Sequence, residues 1–141
     1  MIVALQIPIS PVAKARPRVT FKGKPHAYNT EETKICQEAI RMYVWGELVS
    51  GMSIGEFPVF GKEVPLKLTA WFYVKKPKSC PKLRTLPLVK PDLNNFLSLL
   101  QDAIKGVVYH DDSQITSFGE MGKRYGEPHI VLKVEPDKEA I

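Results

Sequence analysis

The chain has 141 residues, with 20 Lys+Arg against 15 Asp+Glu and a formal charge of +5; this length suits one domain with a modest core, and the basic balance favours polyanionic partners. Two cysteines, Cys36 and Cys80, are too few and too far apart for a zinc motif or a disulfide framework. No apolar run is long enough to span a bilayer and the N-terminus lacks a charged segment followed by a signal-type apolar core, so a cytoplasmic protein with no membrane partner is expected.

In chain order, Ile2 to Ile7 is a short apolar run followed by Pro8 and Pro11 and predicts a first strand. A basic run follows, Lys14-Ala15-Arg16-Pro17-Arg18 continuing to Lys22 and Lys24, punctuated by proline and read as a loop. Asn29 or Thr30 opens a helix, with Asn29-x-x-Glu32 fitting a capping box. That helix is expected to run to about Leu48 through Ile35, Ala39, Met42 and Tyr43, with Trp45 packing alongside. Cys36 falls within it and is expected in the core.

Gly51 to Lys62, with its glycines and Pro58, predicts a loop. From Val64 to Val74 the alternation is clean, with Val64, Leu66, Leu68, Ala70, Phe72 and Val74 on one side and Lys67, Thr69, Trp71 and Tyr73 on the other; this predicts a half-buried strand. A second basic run, Lys75-Lys76-Pro77-Lys78 continuing to Lys82 and Arg84, enters a long loop over residues 77 to 91. Long loops of this kind often carry binding residues. The final segments, 114 to 121 and 129 to 135, predict a pair of strands joined by a loop over 122 to 128. Strand, helix, strand, helix, strand, strand implies one α+β domain over residues 1 to 141, with a mixed sheet of about four strands and two main helices.

The chemistry concentrates around the second helix. Projected at 100° per residue, Leu93, Phe96, Leu97, Leu99, Leu100, Ala103 and Ile104 fall in one arc, and Asn94, Asn95, Ser98, Gln101, Asp102 and Lys105 in the other. Pro91 disfavours helical geometry at Lys90, Asp92 can cap the N-terminus, and Gly106 supplies the stop. Asp111-Asp112 follows shortly after. Aspartates and amides at both ends of one element are the hard oxygen donors that Mg²⁺ prefers. The blander reading has Asp92 as a cap, the polar arc as a wetted face and Asp111-Asp112 as a turn. Adjacent aspartates in extended chain point to opposite sides, so only one of the pair is expected to face Asp92.

The run KPDLNNFLSLLQDAIKGVVYHDDSQI resembles the signature of the RusA family of Holliday junction resolvases, small homodimeric Mg²⁺-dependent endonucleases common in prophages. The family pattern opens on Asp-x-Asp-Asn, has a Lys one turn on, then Asp-Ala followed by Leu or Ile, a Gly, and Asp-Asp before Gln-Ile or Gln-Val. Asp92, Asn95, Asp102-Ala103-Ile104, Gly106 and Asp111-Asp112-x-Gln114-Ile115 match it. Ala15-Arg16-Pro17-Arg18-Val19 is similar to a G-R-P-R-type element that many relatives carry.

The resemblance implies a structure-specific endonuclease that resolves four-way junctions in recombination and repair by Mg²⁺-dependent phosphodiester hydrolysis, acting as a homodimer on branched DNA. It implies catalytic positions at Asp92, Asn94, Ser98 and Asp112, and metal ligands at Asp92, Asn94, Asp112 and Asp111. Phosphate contacts are expected from Lys14, Arg16, Arg18, Lys75, Lys76, Lys78 and Lys90, with the arginines favoured because a guanidinium binds phosphate bidentately. Trp71, Tyr73 and Phe118 are candidate dimer contacts. Two positions depart from the pattern: Asn94 stands where the family has its second aspartate, and Ser98 where it has the lysine. Losing a carboxylate weakens cation affinity, and losing an ammonium removes stabilisation of developing phosphate charge. A weak or inactive catalyst is therefore expected. The alternatives are a junction-binding protein without cleavage, and an α+β domain whose acidic residues are only caps and turns. His26, His110 and His129 are scattered and expected at the surface.

Overall fold

The computed structural model describes residues 1–12, 18–20, 26–28 and 31–138. Strand β1 spans Val3–Ile7, β2 Arg18–Thr20 and β3 His26–Tyr28; helix α1 spans Glu31–Ser50, β4 Leu66–Val74, α2 Leu93–Ile104, β5 Ile115–Tyr125 and β6 His129–Pro136. The main sheet has the order β1-β6-β4-β5, while β2 and β3 form a separate antiparallel pair. The expected α+β class, mixed four-stranded sheet and two main helices are present. Asn29 and Thr30, the expected start of α1, and Lys14 and Arg16 lie outside the described residues.

Strand β4 sits inside the sheet because it follows the alternation rule on both sides. Leu66, Leu68, Ala70 and Phe72 are fully buried on the face that receives the helices, and Lys67, Thr69, Trp71 and Tyr73 take the opposite face. It pairs parallel with β5 and antiparallel with β6. A parallel neighbour needs a long crossover, and the loop after β4 together with α2 supplies it. The close approach on the outer face requires a small residue at Gly122, where a Cβ would clash with the Trp71 ring.

Two expectations are corrected here. Strands β5 and β6 are sequence neighbours but not sheet neighbours: β6 inserts between β1 and β4, and the chain steps over the end of β4. Gly126 donates its N–H to the Val74 carbonyl (2.9 Å) during that step. Strand β5 also runs on through Tyr125, so the predicted loop beginning at residue 122 starts late. The second correction concerns α1, whose buried residues are Thr33, Cys36, Ile40, Val44 and Leu48. Ile35 and Met42 instead face outward at 62% and 65% exposure, and Trp45 packs beside Phe57 with ring centroids 6.3 Å apart. Both sides of α1 carry apolar residues at helical spacing, so periodicity could not choose between them.

The core joins α1, α2 and the sheet. Phe96 of α2 stacks on Phe72 of β4 with centroids 5.3 Å apart, both nearly inaccessible to solvent. Arg41 of α1 donates from Nε to the Ala103 carbonyl and from Nη2 to the Asp102 carbonyl, each at 2.9 Å. These are last-turn carbonyls of α2, where a cation also meets the negative end of the helix dipole.

Candidate active site

The predicted amphipathic helix forms as its two arcs require: Phe96, Leu97, Leu99, Leu100, Ala103 and Ile104 are buried. Asp92 occupies the N-cap position in extended geometry (φ −67°, ψ 154°), and its carbonyl accepts from the N–H groups of Asn95 (3.0 Å) and Phe96 (3.3 Å). Its side chain makes no capping hydrogen bond. Asp92 is exposed at the positive end of α2, so its carboxylate is not spent on the structural task that most often explains an aspartate there. Asn94 is exposed two residues on, and Ser98 follows on the same polar face.

The C-terminal end of α2 is built differently. Gly106 adopts φ +88°, the left-handed region that ends helices readily in glycine. The chain then returns toward the helix, with Val59 and Phe60 donating their N–H groups to the carbonyls of Val107 and Val108, each at 3.0 Å. Asp111 caps a 3₁₀ turn over Asp112–Gln114, accepting from the Ser113 N–H (3.2 Å) and hydroxyl, and pairs with the Lys105 ammonium at 3.1 Å. The Ser113 hydrogen bonds and the Lys105 ammonium lower its carboxyl pKa to about 2. The turn reading therefore holds for Asp111.

Asp112 is held by another partner. Tyr109 is fully buried, and its hydroxyl lies 2.8 Å from Asp112 Oδ1 and 3.1 Å from the Gln101 carbonyl. Burial first, and then the Asp112 hydrogen bond, push the phenol pKa far above its ordinary value, so the hydroxyl remains a donor. Gln114 is the buried staple of the segment. Its Oε1 accepts from the N–H groups of His110 (2.8 Å) and Asp111 (3.1 Å), and its Nε2 donates to the carbonyls of Gly61 (2.7 Å) and Val64 (3.2 Å). Sequence reasoning matched Gln114 to the motif without seeing that it ties the backbone of His110 and Asp111 to the loop at Gly61 and Val64.

Asp92 and Asn94 stand at the start of α2, and Asp111 and Asp112 in the turn that follows its end. Asp112 touches the layer of Gln101 through Tyr109, and nine residues of α-helix separate Gln101 from Asp92, a rise of about 13 Å. Asp92 and Asp112 thus belong to opposite ends of α2. Among the described residues no three His, Cys, Asp or Glu side chains converge to hold a metal.

The basic residues gather beside Asp92. No helix or strand lies between Val74 and Leu93, as the sequence predicts, and Lys75, Lys78 and Lys90 of that loop are exposed. Lys76 lies over the Tyr125 ring at 5.8 Å from its centroid. Lys75 and Lys90 line a cleft of about 140 Å³ next to Pro91, and a third lysine, Lys123 of β5, lines it from below. Lys123 was not singled out from sequence. Its signal was the alternation Met121, Lys123, Tyr125, which puts it on the helix-bearing side of β5. Arg18 lies in β2, with its backbone alone described. On the other face of the sheet, Arg124 stacks over Trp71 at 4.8 Å and Tyr73 stacks on His129 at 4.2 Å. Phe118 is 52% exposed at the β5 edge. Among the described residues no helix is long and apolar enough to cross a membrane.

Comparison with known proteins gives two findings. The family model described as Endodeoxyribonuclease RusA matches residues 8–135. The chain is also similar to the uncharacterized protein YqaN of Bacillus subtilis (strain 168), with 26% identity over 127 residues that cover 88% of this chain and 89% of the relative.

Proposed function

The chain belongs to the RusA endodeoxyribonuclease family, and on that premise we propose that it recognises four-way DNA junctions as a homodimer and resolves them by Mg²⁺-dependent phosphodiester hydrolysis, with its own cleavage weakened by Asn94 and Ser98. The observation that carries this reading is the polar face of α2, bounded by an exposed, uncapped Asp92 at one end and a Tyr109-held Asp112 at the other. Within one chain these carboxylates stand at opposite ends of α2. A second copy related by a two-fold axis, with its α2 antiparallel, offers its Asp112 to the first copy's Asp92 and the reverse. That arrangement creates two equivalent sites, as a two-fold symmetric junction with two strands to nick requires.

Across such a pair, Asp92 and Asn94 of one copy and Asp112 of the other would hold Mg²⁺, which when bound neutralises phosphate charge and supplies a polarised water. The chain's own part is placement. Tyr109 holds Asp112, the Gln114 staple holds the turn that carries it, and the start of α2 presents Asp92. Lys75, Lys78 and Lys90 attract the DNA backbone. Asn94 and Ser98 favour a second reading, a junction-binding protein that does not cut, because each removes a charge that the family chemistry uses.

Binding separates these readings from a nucleic-acid-independent domain. Fluorescence anisotropy with a labelled four-way junction and a linear duplex of equal length should give at least about 10-fold tighter binding to the junction, falling steeply between low and moderate salt as phosphate contacts are screened. Equal affinity for both DNAs, or none for either, would remove the junction assignment.

A further inference from the structure

We propose that Lys123 is the positioning residue for Asp92. This inference rests on the nuclease reading above and adds to it a residue from a different element. Lys123 Nζ donates to the Val89 carbonyl at 2.8 Å and to the Pro91 carbonyl at 2.9 Å. These two carbonyls straddle Lys90, and Pro91 immediately precedes Asp92. The ammonium thus fixes the last three residues of a loop that has no helix or strand of its own between Val74 and Leu93.

The placement of the lysine is costly without a function. In the sheet register it stands beside Phe72, on the side that carries the core, where it is partly buried and a lysine held in one geometry gives up side-chain freedom. Neither hydrogen-bond partner is a carboxylate, so no buried ion pair explains it. What it gains is control of a segment 32 to 34 residues away in sequence. An ammonium has three N–H donors, and two of them go to these carbonyls. The cation therefore stays within the cleft that Lys75 and Lys90 share with it. It holds the backbone that presents Asp92. Asp92 needs such support because its side chain makes no capping bond to anchor it.

The test uses the full-length chain carrying Asn94→Asp and Ser98→Lys, with Lys123→Met, Lys123→Gln or Lys123→Arg added. Hydrogen exchange by mass spectrometry is read over residues 88–93, together with junction affinity and single-turnover cleavage in Mg²⁺. Lys123→Met should speed exchange of that segment at least about 10-fold and slow cleavage by a similar factor, while junction affinity changes less than about threefold. Lys123→Arg, which keeps the charge and the donors, should recover most of the rate. Lys123→Gln, which keeps donors without charge, serves if the Met variant does not fold; it should hold the segment better than Met and still cleave more slowly than Arg. Unchanged exchange in the Met and Gln variants overturns the proposal, and so does faster exchange with an unchanged cleavage rate. Absence of cleavage in every form, including the one with Lys123 intact, removes the nuclease reading and the positioning role with it, leaving the exchange result to report only a loop clamp.

Discussion

Asn94→Asp combined with Ser98→Lys is expected to raise single-turnover cleavage of a labelled four-way junction in Mg²⁺ by about 10²-fold or more, the scale associated with preorganised charge at a reacting phosphate. Both positions lie on the polar face of α2, and Asn94 is exposed. The new carboxylate stands two residues from Asp92 and raises the negative charge available to a divalent cation. The new ammonium stands one turn further along the same face, where it can oppose charge developing on the phosphate. Neither change touches the buried arc of α2, so thermal stability should move by no more than about 0.5 kcal/mol. Each single substitution should give a smaller gain than the pair, because the carboxylate and the ammonium act on the same transition state. Cleavage by the double variant no faster than by the unaltered chain would place the weakness elsewhere.

Phe96→Ala should have the largest effect on stability, about 3–5 kcal/mol of destabilisation, the usual cost of deleting an aromatic side chain from a packed core. Phe96 is 1% exposed and stacks on Phe72, joining α2 to the middle of the sheet. Truncation leaves a cavity between these elements, and Arg41 alone does not compensate, since it grips the other end of the helix. A melting temperature lower by about 10–17 °C is expected for a domain of this size. A shift below about 3 °C would mean that α2 is held mainly by its polar contacts.

The contrast between the two helices shows what was legible in the sequence. In α2 every apolar residue falls in one arc, so its buried face, its start at Asp92 and its stop at Gly106 could be read directly. In α1 the apolar residues encircle the helix, and Ile35 and Met42, which fit a core pattern, face outward. Strand β4 was recognisable by alternation, and β5 and β6 as two strand-like segments near the end of the chain. Their order was not, because adjacency in sequence favours a hairpin, whereas the parallel pairing of β5 with β4 and the insertion of β6 beside β1 are decided by where the helices must pack.

The candidate site divides in the same way. Residue types pointed to Asp92 and the Asp111-Asp112 pair, the family resemblance added Asn94 and Ser98, and the structure explains Asp111 as a cap and Gln114 as a staple. Spacing along a helix says nothing about whether its two ends can meet, so the separation of Asp92 from Asp112 became visible only in three dimensions. Lys123 was hidden for a related reason: its partners are backbone carbonyls of a distant loop, and carbonyls leave no mark in sequence.

The most direct measurement is complementation between two inactive chains. In the Asn94→Asp/Ser98→Lys background, one chain carries Asp92→Asn and the other Asp112→Asn. Each should be inactive alone. If the site joins Asp92 of one copy to Asp112 of the other, mixing the two under conditions that exchange subunits creates heterodimers with one intact site and one doubly altered site. Cleavage of one junction strand should then reappear, at up to about half the activity per dimer of the unmutated background, following the fraction of heterodimer. If the mixture stays as inactive as its components although heterodimers form, the two carboxylates do not act across the dimer and this arrangement of the site is contradicted.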